Sequence, residues 1–248
     1  TSRSVCCLCF VFPVLSSSLL SPPFPNIHIL ENLCLLIHSF IHSFIRLLAC
    51  LLACFATVLA NDGYILLRNV IDRQAIFKAR KVVIEALDKN WGLIDKQEKK
   101  LMDAHIKGDK KGMLLTGFTQ VTHSEGVLAV TEGQQLASLF AFLFGQTAST
   151  FDNKWVRVHG HGEYTDEHTD YFRFKDCAEQ MHTCWIPLGD YTPLDGTLAV
   201  CEGSHLVPGY DAEYGVDTKV ELPGGFNPNS PAAIWRTTSF RAGDLVIF

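Results

Sequence analysis

The run Met181-His182-Thr183-Cys184-Trp185-Ile186-Pro187-Leu188 is followed by the turn residues Gly189-Asp190, and a second run, Thr197–Glu202, begins after Asp195-Gly196. Both runs are short and are bounded by glycine, proline or aspartate, which is typical of β-strands joined by turns. A two-residue period starts at Phe151 and predicts further strands at Asn153–His159, His168–Phe174 and Asp244–Phe248. The second half of the chain is therefore predicted to consist of many short strands.

Helices are predicted ahead of these strands. Asp72 can cap a helix that continues to about Asp88, and Gln134–Phe144 forms a second helix with Gly145 as its stop. The apolar stripe of the first helix consists of Ile76, Ala79, Val83, Ala86 and Leu87. A strand is predicted at Gly63–Val70 as well. Helices followed by short strands predict an α+β fold, in which N-terminal helices flank a double-stranded β-helix, or jelly roll.

Composition divides the chain near residue 60. The 248 residues are 48% hydrophobic with a net charge of −5, which argues against disorder and against nucleic-acid binding. The first sixty residues contain three charged side chains, Arg3, Glu31 and Arg46, and hold six of the nine cysteines. We therefore expect residues 1–60 to lie outside the fold and residues 61–248 to form the domain.

Three interpretations of residues 1–60 stay open. They are a secretory or anchor sequence, a genuine irregular extension, or non-coding sequence read as protein, and we favour the last. Residues 47–60 resemble a signal peptide. Residues 33–60 are long enough for a membrane span but include His38, His42 and Arg46, which are costly in lipid. A cytoplasmic location is favoured, with a secretory or membrane-anchored location if residues 33–60 are genuine.

The segment His168-Thr169-Asp170 carries the most informative chemistry. On a strand, residues i and i+2 point to the same face, so the imidazole and the carboxylate would project together. These are two of the three ligands of the facial triad that binds iron in non-haem Fe(II) oxygenases. Taken alone, His-x-Asp is a weak signal, and a polar surface strand explains it more simply.

The order of several motifs resembles the phytanoyl-CoA dioxygenase family. The motifs span residues 61–248: Asn61-Asp62-Gly63-Tyr64-Ile65-Leu66-Leu67-Arg68-Asn69-Val70, Lys154-Trp155-Val156-Arg157, Glu167-His168-Thr169-Asp170-Tyr171, Trp185-Ile186-Pro187-Leu188-Gly189-Asp190, Asp195-Gly196-Thr197-Leu198-Ala199-Val200, Gly203-Ser204-His205 and Gly243-Asp244-Leu245-Val246-Ile247-Phe248. The resemblance implies an Fe(II)/2-oxoglutarate-dependent dioxygenase that hydroxylates a small organic substrate.

The resemblance also implies roles for individual residues. His168 and Asp170 would bind iron, and Trp185 would line the 2-oxoglutarate pocket unless it is a plain core aromatic. Apart from the resemblance, the position of Arg157 on the preceding strand makes it a candidate contact for a carboxylate, although a surface salt bridge is the favoured interpretation. Residues 95–130 and 206–240 are expected to form a substrate lid.

The family's second iron-binding His and its 2-oxoglutarate-anchoring Arg follow the Gly-Asp-Leu-Val-Ile-Phe strand. No His occurs after His205 in this chain, so we expect an inactive fragment of a dioxygenase, incomplete at its C-terminal end. His159-Gly160-His161 with Glu163 is interpreted as a turn rather than a metal motif, and His182 as facing away from Trp185.

A second function stays open. A jelly roll without catalysis could act as a binding module, membrane-tethered through its apolar N-terminal segment, and it would not depend on His168. The sequence predicts neither the substrate nor the oligomeric state.

Overall fold

The computed structural model describes residues 6–13, 53–95, 103–108, 110–170, 174, 181–207 and 231–248. Residues 53–62 are helical (α1), and the other helices are α2 (Arg73–Trp91), α3 (Thr119–Thr122), α4 (Glu125–Thr131) and α5 (Gln134–Phe144). The strands are β1 (Cys6–Pro13), β2 (Ile65–Leu67), β3 (Met113–Leu114), β4 (Trp155–Val158), β5 (Met181–Pro187), β6 (Val200–Cys201), β7 (Trp235–Arg236) and β8 (Leu245–Ile247). Short 3-10 helices cover Pro193–Asp195 and Ser204–Leu206.

The strands form two antiparallel sheets. The larger sheet has six strands in the order β2-β8-β5-β1-β4-β3, and the smaller pairs β6 with β7. This mixture of helix and sheet agrees with the predicted α+β class. Within the part of the chain that the structure describes, the sheets do not close into a barrel, so the jelly roll stays a prediction.

The two long helices have the predicted positions because their ends are marked chemically. The Asp72 side chain accepts a hydrogen bond from the Gln74 amide at the start of α2. The helix continues three residues beyond Asp88, to Trp91, because the left-handed residue that ends it is Gly92, with a φ of 59°. Helix α5 ends at Gly145 as predicted.

The larger hydrophobic core lies on one face of the six-stranded sheet. It combines side chains of α2, α4 and α5 with those of β4 and β5: Ile76, Ala79, Val83, Leu87, Val127, Val130, Leu136, Phe140, Val156, Cys184 and Ile186. A smaller cluster of Trp185, Tyr191, Phe240 and Val246 contains the next residue along β5. Because neighbouring residues of a strand point to opposite faces, β5 separates the two clusters.

Three predicted strands depart most from the structure: two are much shorter and one is absent. Gly63–Val70 contracts to Ile65–Leu67, because Asn69 takes a positive φ of 54° and breaks the extended run. Thr197–Glu202 contracts to Val200–Cys201. The strand prediction for His168–Phe174 is wrong: residues 163–169 have no regular structure, Asp170 lies at a bend, and residues 171–173 lie outside the described residues.

The lid prediction for residues 95–130 is wrong over much of its length. Ile106, Leu115, Val121 and Val127 are buried in the larger core, so the residues around them are part of the domain body. The charged residues of this region conceal apolar positions that pack inward, and Ile106 also pairs with Ile94 in an isolated bridge. Of the other predicted lid, residues 208–230 lie outside the described residues.

The N-terminal segment differs from expectation at Cys6–Pro13. These residues form β1 between β4 and β5, although residues 1–60 were expected to lie outside the fold. Their lack of charge, which suggested an unrelated segment, is equally compatible with a central strand. Residues 14–52, which contain most of the predicted anchor, lie outside the described residues.

One described stretch, Glu125–Phe144, is long and apolar enough to cross a membrane by length and composition. It is not one helix, however, because α4 ends at Thr131 and Gly133 has an extended ψ of 151°. Its apolar stripe lies in the larger core. We therefore interpret the stretch as two core helices.

Candidate metal centre

The candidate site is positioned by one face of β5. Thr183 and Trp185 share this face, whereas Cys184 and Ile186 point into the helix-covered core. Cys9 of β1 pairs with Trp155 of β4 on one side and with Trp185 of β5 on the other. Trp155 and Arg157 of β4 therefore lie on the face of Trp185, which we call the site face.

His168 and Asp170 meet at this face although they are not on a strand. Nε2 of His168 lies 3.4 Å from Oδ1 of Asp170. The Thr183 hydroxyl donates a 2.7 Å hydrogen bond to Oδ2 of Asp170, which ties the carboxylate to the site face of β5. Thr169, between them, is 9% exposed. The two side chains thus converge as predicted, but a bend and the bond to Thr183 bring them together rather than strand geometry.

The hydrogen bonds of His168 orient its ring. Nδ1 lies 2.7 Å from the carbonyl oxygen of Asp166, a contact that requires Nδ1 to donate. In the neutral ring, the proton then resides on Nδ1 and the lone pair on Nε2, the nitrogen that faces Asp170. Histidines that bind metals commonly donate their other N–H to a carbonyl or carboxylate in this way.

This donor pair fits a divalent ion. Two donors bound at right angles, each about 2.1 Å from the ion, lie about 3 Å apart. The pair needs only a small adjustment from its present 3.4 Å separation. No group of three His, Cys, Asp or Glu side chains suited to a metal occurs among the residues that the structure describes, so the pair supplies two ligands. A His–Asp hydrogen bond is the purely structural alternative.

Arg157 lies near the segment that leads to His168. Its Nη1 donates a 2.6 Å hydrogen bond to the Thr165 hydroxyl, which lies 3.4 Å from Nε2 of His159. Burial and the positive charge of Arg157 lower the pKa of His159, which favours the neutral ring. No salt bridge to Arg157 is present within the described ranges. The surface ion pair considered as the alternative role is therefore not seen there.

Trp185 is 5% exposed and packs against Phe240, with ring centroids 4.7 Å apart. This is the environment of a core aromatic, one of the two interpretations left open. It is also a wall beside Thr183, whose hydroxyl bonds Asp170. Its role in a 2-oxoglutarate pocket stays a prediction.

The turn interpretation of residues 159–163 agrees with the structure. One oxygen of Glu163, Oε2, accepts hydrogen bonds of 2.6 Å from the amides of Gly112 and Gly160. Burial acts to raise the pKa of Glu163, but the two amides together with nearby His159 and Lys111 outweigh it, and the pKa is lowered. The carboxylate thus fastens a turn. His182 stacks on Phe144 in the helix-covered layer, on the face away from Trp185, as predicted.

A surface cavity of about 410 Å³ lies beyond the C-terminal end of β5. It is lined by Asp190, Tyr191, Thr192, Asp195, Ser239, Phe240 and Arg241. Its acidic groups already have structural partners, since Asp190 pairs with Arg73 and Asp195 caps Thr192. Asp170 lies near the opposite end of β5, beside Thr183. This cavity is therefore not the candidate site.

Sequence reasoning missed two hydroxyls that hold the candidate residues, Thr183 and Thr165. Thr183 could have been found, because it lies two residues before Trp185 and shares its face. Thr165 has no such signal, because it lies in an irregular segment. Phe174, which was expected on the same face as Asp170, contacts Trp155 with ring centroids 5.0 Å apart.

The model of one protein family, described as phytanoyl-CoA dioxygenase, matches residues 59–248. The chain belongs to the phytanoyl-CoA dioxygenase family. The match begins two residues before the predicted domain boundary and includes both β4 and β5. No curated protein and no solved structure matches the chain significantly.

Membership of the phytanoyl-CoA dioxygenase family supports an oxygenase function at the level of the family. His168, Asp170, Trp185 and Arg157 all lie within the matched residues.

Proposed function

We propose that this chain carries part of the active site of an Fe(II)/2-oxoglutarate-dependent dioxygenase that hydroxylates a small organic substrate. The observation that carries the proposal is the convergence of Nε2 of His168 and the carboxylate of Asp170 on the site face. Bound Fe(II) would supply the oxygen chemistry that couples decarboxylation of 2-oxoglutarate to hydroxylation.

The residues of the chain act around that ion. Nε2 of His168 and the carboxylate of Asp170 would hold it, while the Asp166 carbonyl and the Thr183 hydroxyl fix their orientations. Trp185 and Phe240 form an apolar wall that excludes water from one side. Arg157 offers a cation for a carboxylate of the co-substrate, since guanidinium groups bind carboxylates by charge-assisted hydrogen bonds.

Two protein ligands hold Fe(II) less firmly than three. Because the described residues contribute two ligands, we expect the ion to be bound weakly and little 2-oxoglutarate to be converted.

The test uses two readouts on the full chain. One is release of succinate from 2-oxoglutarate with Fe(II), and the other is oxidative cleavage of the backbone by Fe(II) and ascorbate, mapped by mass spectrometry. We expect little succinate, with cleavage centred near residues 168–170 and 183. His168→Ala should abolish this cleavage, and His161→Ala, in the exposed turn, should preserve it.

Cleavage that is unchanged by both His168→Ala and Asp170→Ala would remove the metal role of the pair. A chain without iron-directed cleavage at any position would instead favour the non-catalytic binding module.

A further inference from the structure

β1 occupies an unusual position in the larger sheet. It is the one described strand whose sequence lies outside the family-matched residues 59–248, yet it separates two strands inside that range, β4 and β5. Neighbouring strands lie about 4.8 Å apart, so β4 and β5 are separated by about 9.6 Å, the width that one inserted strand requires. We call this interval the strand slot.

The strand slot makes specific demands on whatever fills it. β1 runs antiparallel to both neighbours, pairing at four positions with β4, from Cys6↔Val158 to Cys9↔Trp155, and at seven with β5, from Cys7↔Pro187 to Pro13↔Met181. Without a strand, both edges would present unpaired amide and carbonyl groups. An occupant must therefore be extended and able to form hydrogen bonds along both of its sides.

The walls of the slot also belong to the larger core. Val156 of β4 and Cys184 and Ile186 of β5 are each 0% exposed with β1 in place. An empty slot would bring water to these apolar side chains. A charged residue inserted at a position that faces this core would lose its hydration among apolar side chains, so an uncharged segment is favoured there. Cys6–Pro13 contains no charged residue.

We propose that the strand slot is a binding site for an extended, uncharged apolar peptide held antiparallel to both β4 and β5, and that Cys6–Pro13 is its tethered ligand. Recognition by main-chain hydrogen bonds along a sheet edge is a general mode of peptide binding. A strand held in this way can be replaced by the same strand supplied in trans when the hydrogen bonding of the chain's own strand is weakened.

The register provides a covalent test of this proposal, because position 10 of β1 lies opposite Cys184. The probe is a peptide with the sequence of residues 6–13 in which the three native cysteines are replaced by serine. It carries a new cysteine at the position of Phe10 and a lysine tail for solubility. That cysteine is activated as a pyridyl disulfide. The Cys184 thiolate attacks the peptide sulfur, a new disulfide forms and pyridinethione leaves, so no further oxidant is needed.

The target is the full chain with Leu8→Pro, which removes a ladder hydrogen bond from its own β1. We expect labelling of Cys184 at least about tenfold faster than in the unmodified chain, where the tethered strand competes at high effective concentration. Burial raises the pKa of the Cys184 thiol well above its usual range, so undirected labelling is slow. Cys54 is exposed and should react equally in both chains, which controls for peptide reactivity.

A second peptide places its cysteine at position 12, which lies opposite His182, and should not label Cys184. The proposal would be overturned if the second peptide, or a scrambled peptide, labelled Cys184 as fast as the first. It would also be overturned if Cys184 were labelled equally fast in the Leu8→Pro variant and in the unmodified chain. A second measurement avoids dependence on the folding of the proline variant. In the otherwise unmodified chain, Phe10→Cys should form a disulfide with Cys184 on mild oxidation, whereas Phe12→Cys should not. If Phe10→Cys formed no disulfide with Cys184, the proposal would also be overturned.

Discussion

Alternate residues of β5 point to opposite faces of the sheet, and the two faces have different roles. On the helix-covered face, Cys184 and Ile186 are 0% exposed and belong to the larger core. On the site face, Thr183 and Trp185 are also nearly buried, but Thr183 donates its hydroxyl to Asp170 and Trp185 packs in a cluster with Tyr191 and Phe240. Burial alone therefore does not distinguish structural from functional positions. What distinguishes them is whether a buried polar group faces another polar group.

The comparison predicts its largest effect on stability at Ile186. Replacing Ile186 with Ala leaves a cavity among helices and sheet that cannot collapse, and should lower the free energy of unfolding by about 2–5 kcal/mol. Urea denaturation followed by circular dichroism measures it. Thr183→Val, at the same depth on the site face, is the matched control and should cost about 1 kcal/mol. Equal losses at both positions would contradict the division between the faces.

A smaller effect is predicted at the link between the two layers. Arg80 of α2 is 1% exposed, and its Nη1 donates a 2.6 Å hydrogen bond to the hydroxyl of Tyr191 in the smaller cluster. Tyr191→Phe keeps the ring but removes the acceptor, and should lower the free energy of unfolding by about 1–3 kcal/mol. The same denaturation assay measures it. Tyr164→Phe, at an exposed tyrosine, should change it by less than about 0.5 kcal/mol, and an equal loss there would contradict the role of the Arg80 link.

A third variant separates stability from metal binding. Thr183→Val preserves shape but removes the hydrogen bond to Asp170, so stability should fall by about 1 kcal/mol while metal affinity falls about 10–100-fold. Co(II) binding, followed by its visible absorption, measures the affinity. Unchanged Co(II) affinity in the folded variant would show that Thr183 does not position the carboxylate.

The smallest predicted effect depends on pH. Burial lowers the pKa of His182 below its usual value. At pH values between the two pKa values, the unfolded chain therefore binds a proton that the folded chain does not. The contribution of His182 to stability is therefore complete above about pH 6.5 and is lost as the pH falls from there through the folded pKa. His182→Phe, which can keep the stack on Phe144, should reduce the loss of stability between about pH 6.5 and 5. Thermal melts at several pH values measure this, and parallel profiles for the two proteins would refute it.

The sequence predicted those helices and strands whose ends or periodicity are visible in a few neighbouring residues. Asp72 and Gly145 mark helix ends, and the periodicity of residues 181–188 marks a strand with two buried faces. Arg80 was missed, because an arginine inside an apolar helical stripe is ordinarily assigned to the surface. Ile106 was missed because charged neighbours conceal it.

The candidate site was predicted for a reason that the structure corrects. His168 and Asp170 were expected together because of strand alternation, yet they lie in an irregular segment and meet through a bend. The partner that holds Asp170 is Thr183, distant in sequence, and only the tertiary structure shows it. The position of β1 was unpredictable for a similar reason, because strand pairing over such a separation leaves no local pattern.

Two histidines from opposite faces of the sheet distinguish a metal site on the site face from a site in the core. Co(II) affinity is measured for the unmodified chain, for His168→Ala and for His182→Ala. We expect His168→Ala to weaken Co(II) binding at least about tenfold and His182→Ala to change it by less than about twofold. Equal affinities in the first two proteins, or a greater loss in the third, would contradict the assignment of the metal centre to the site face.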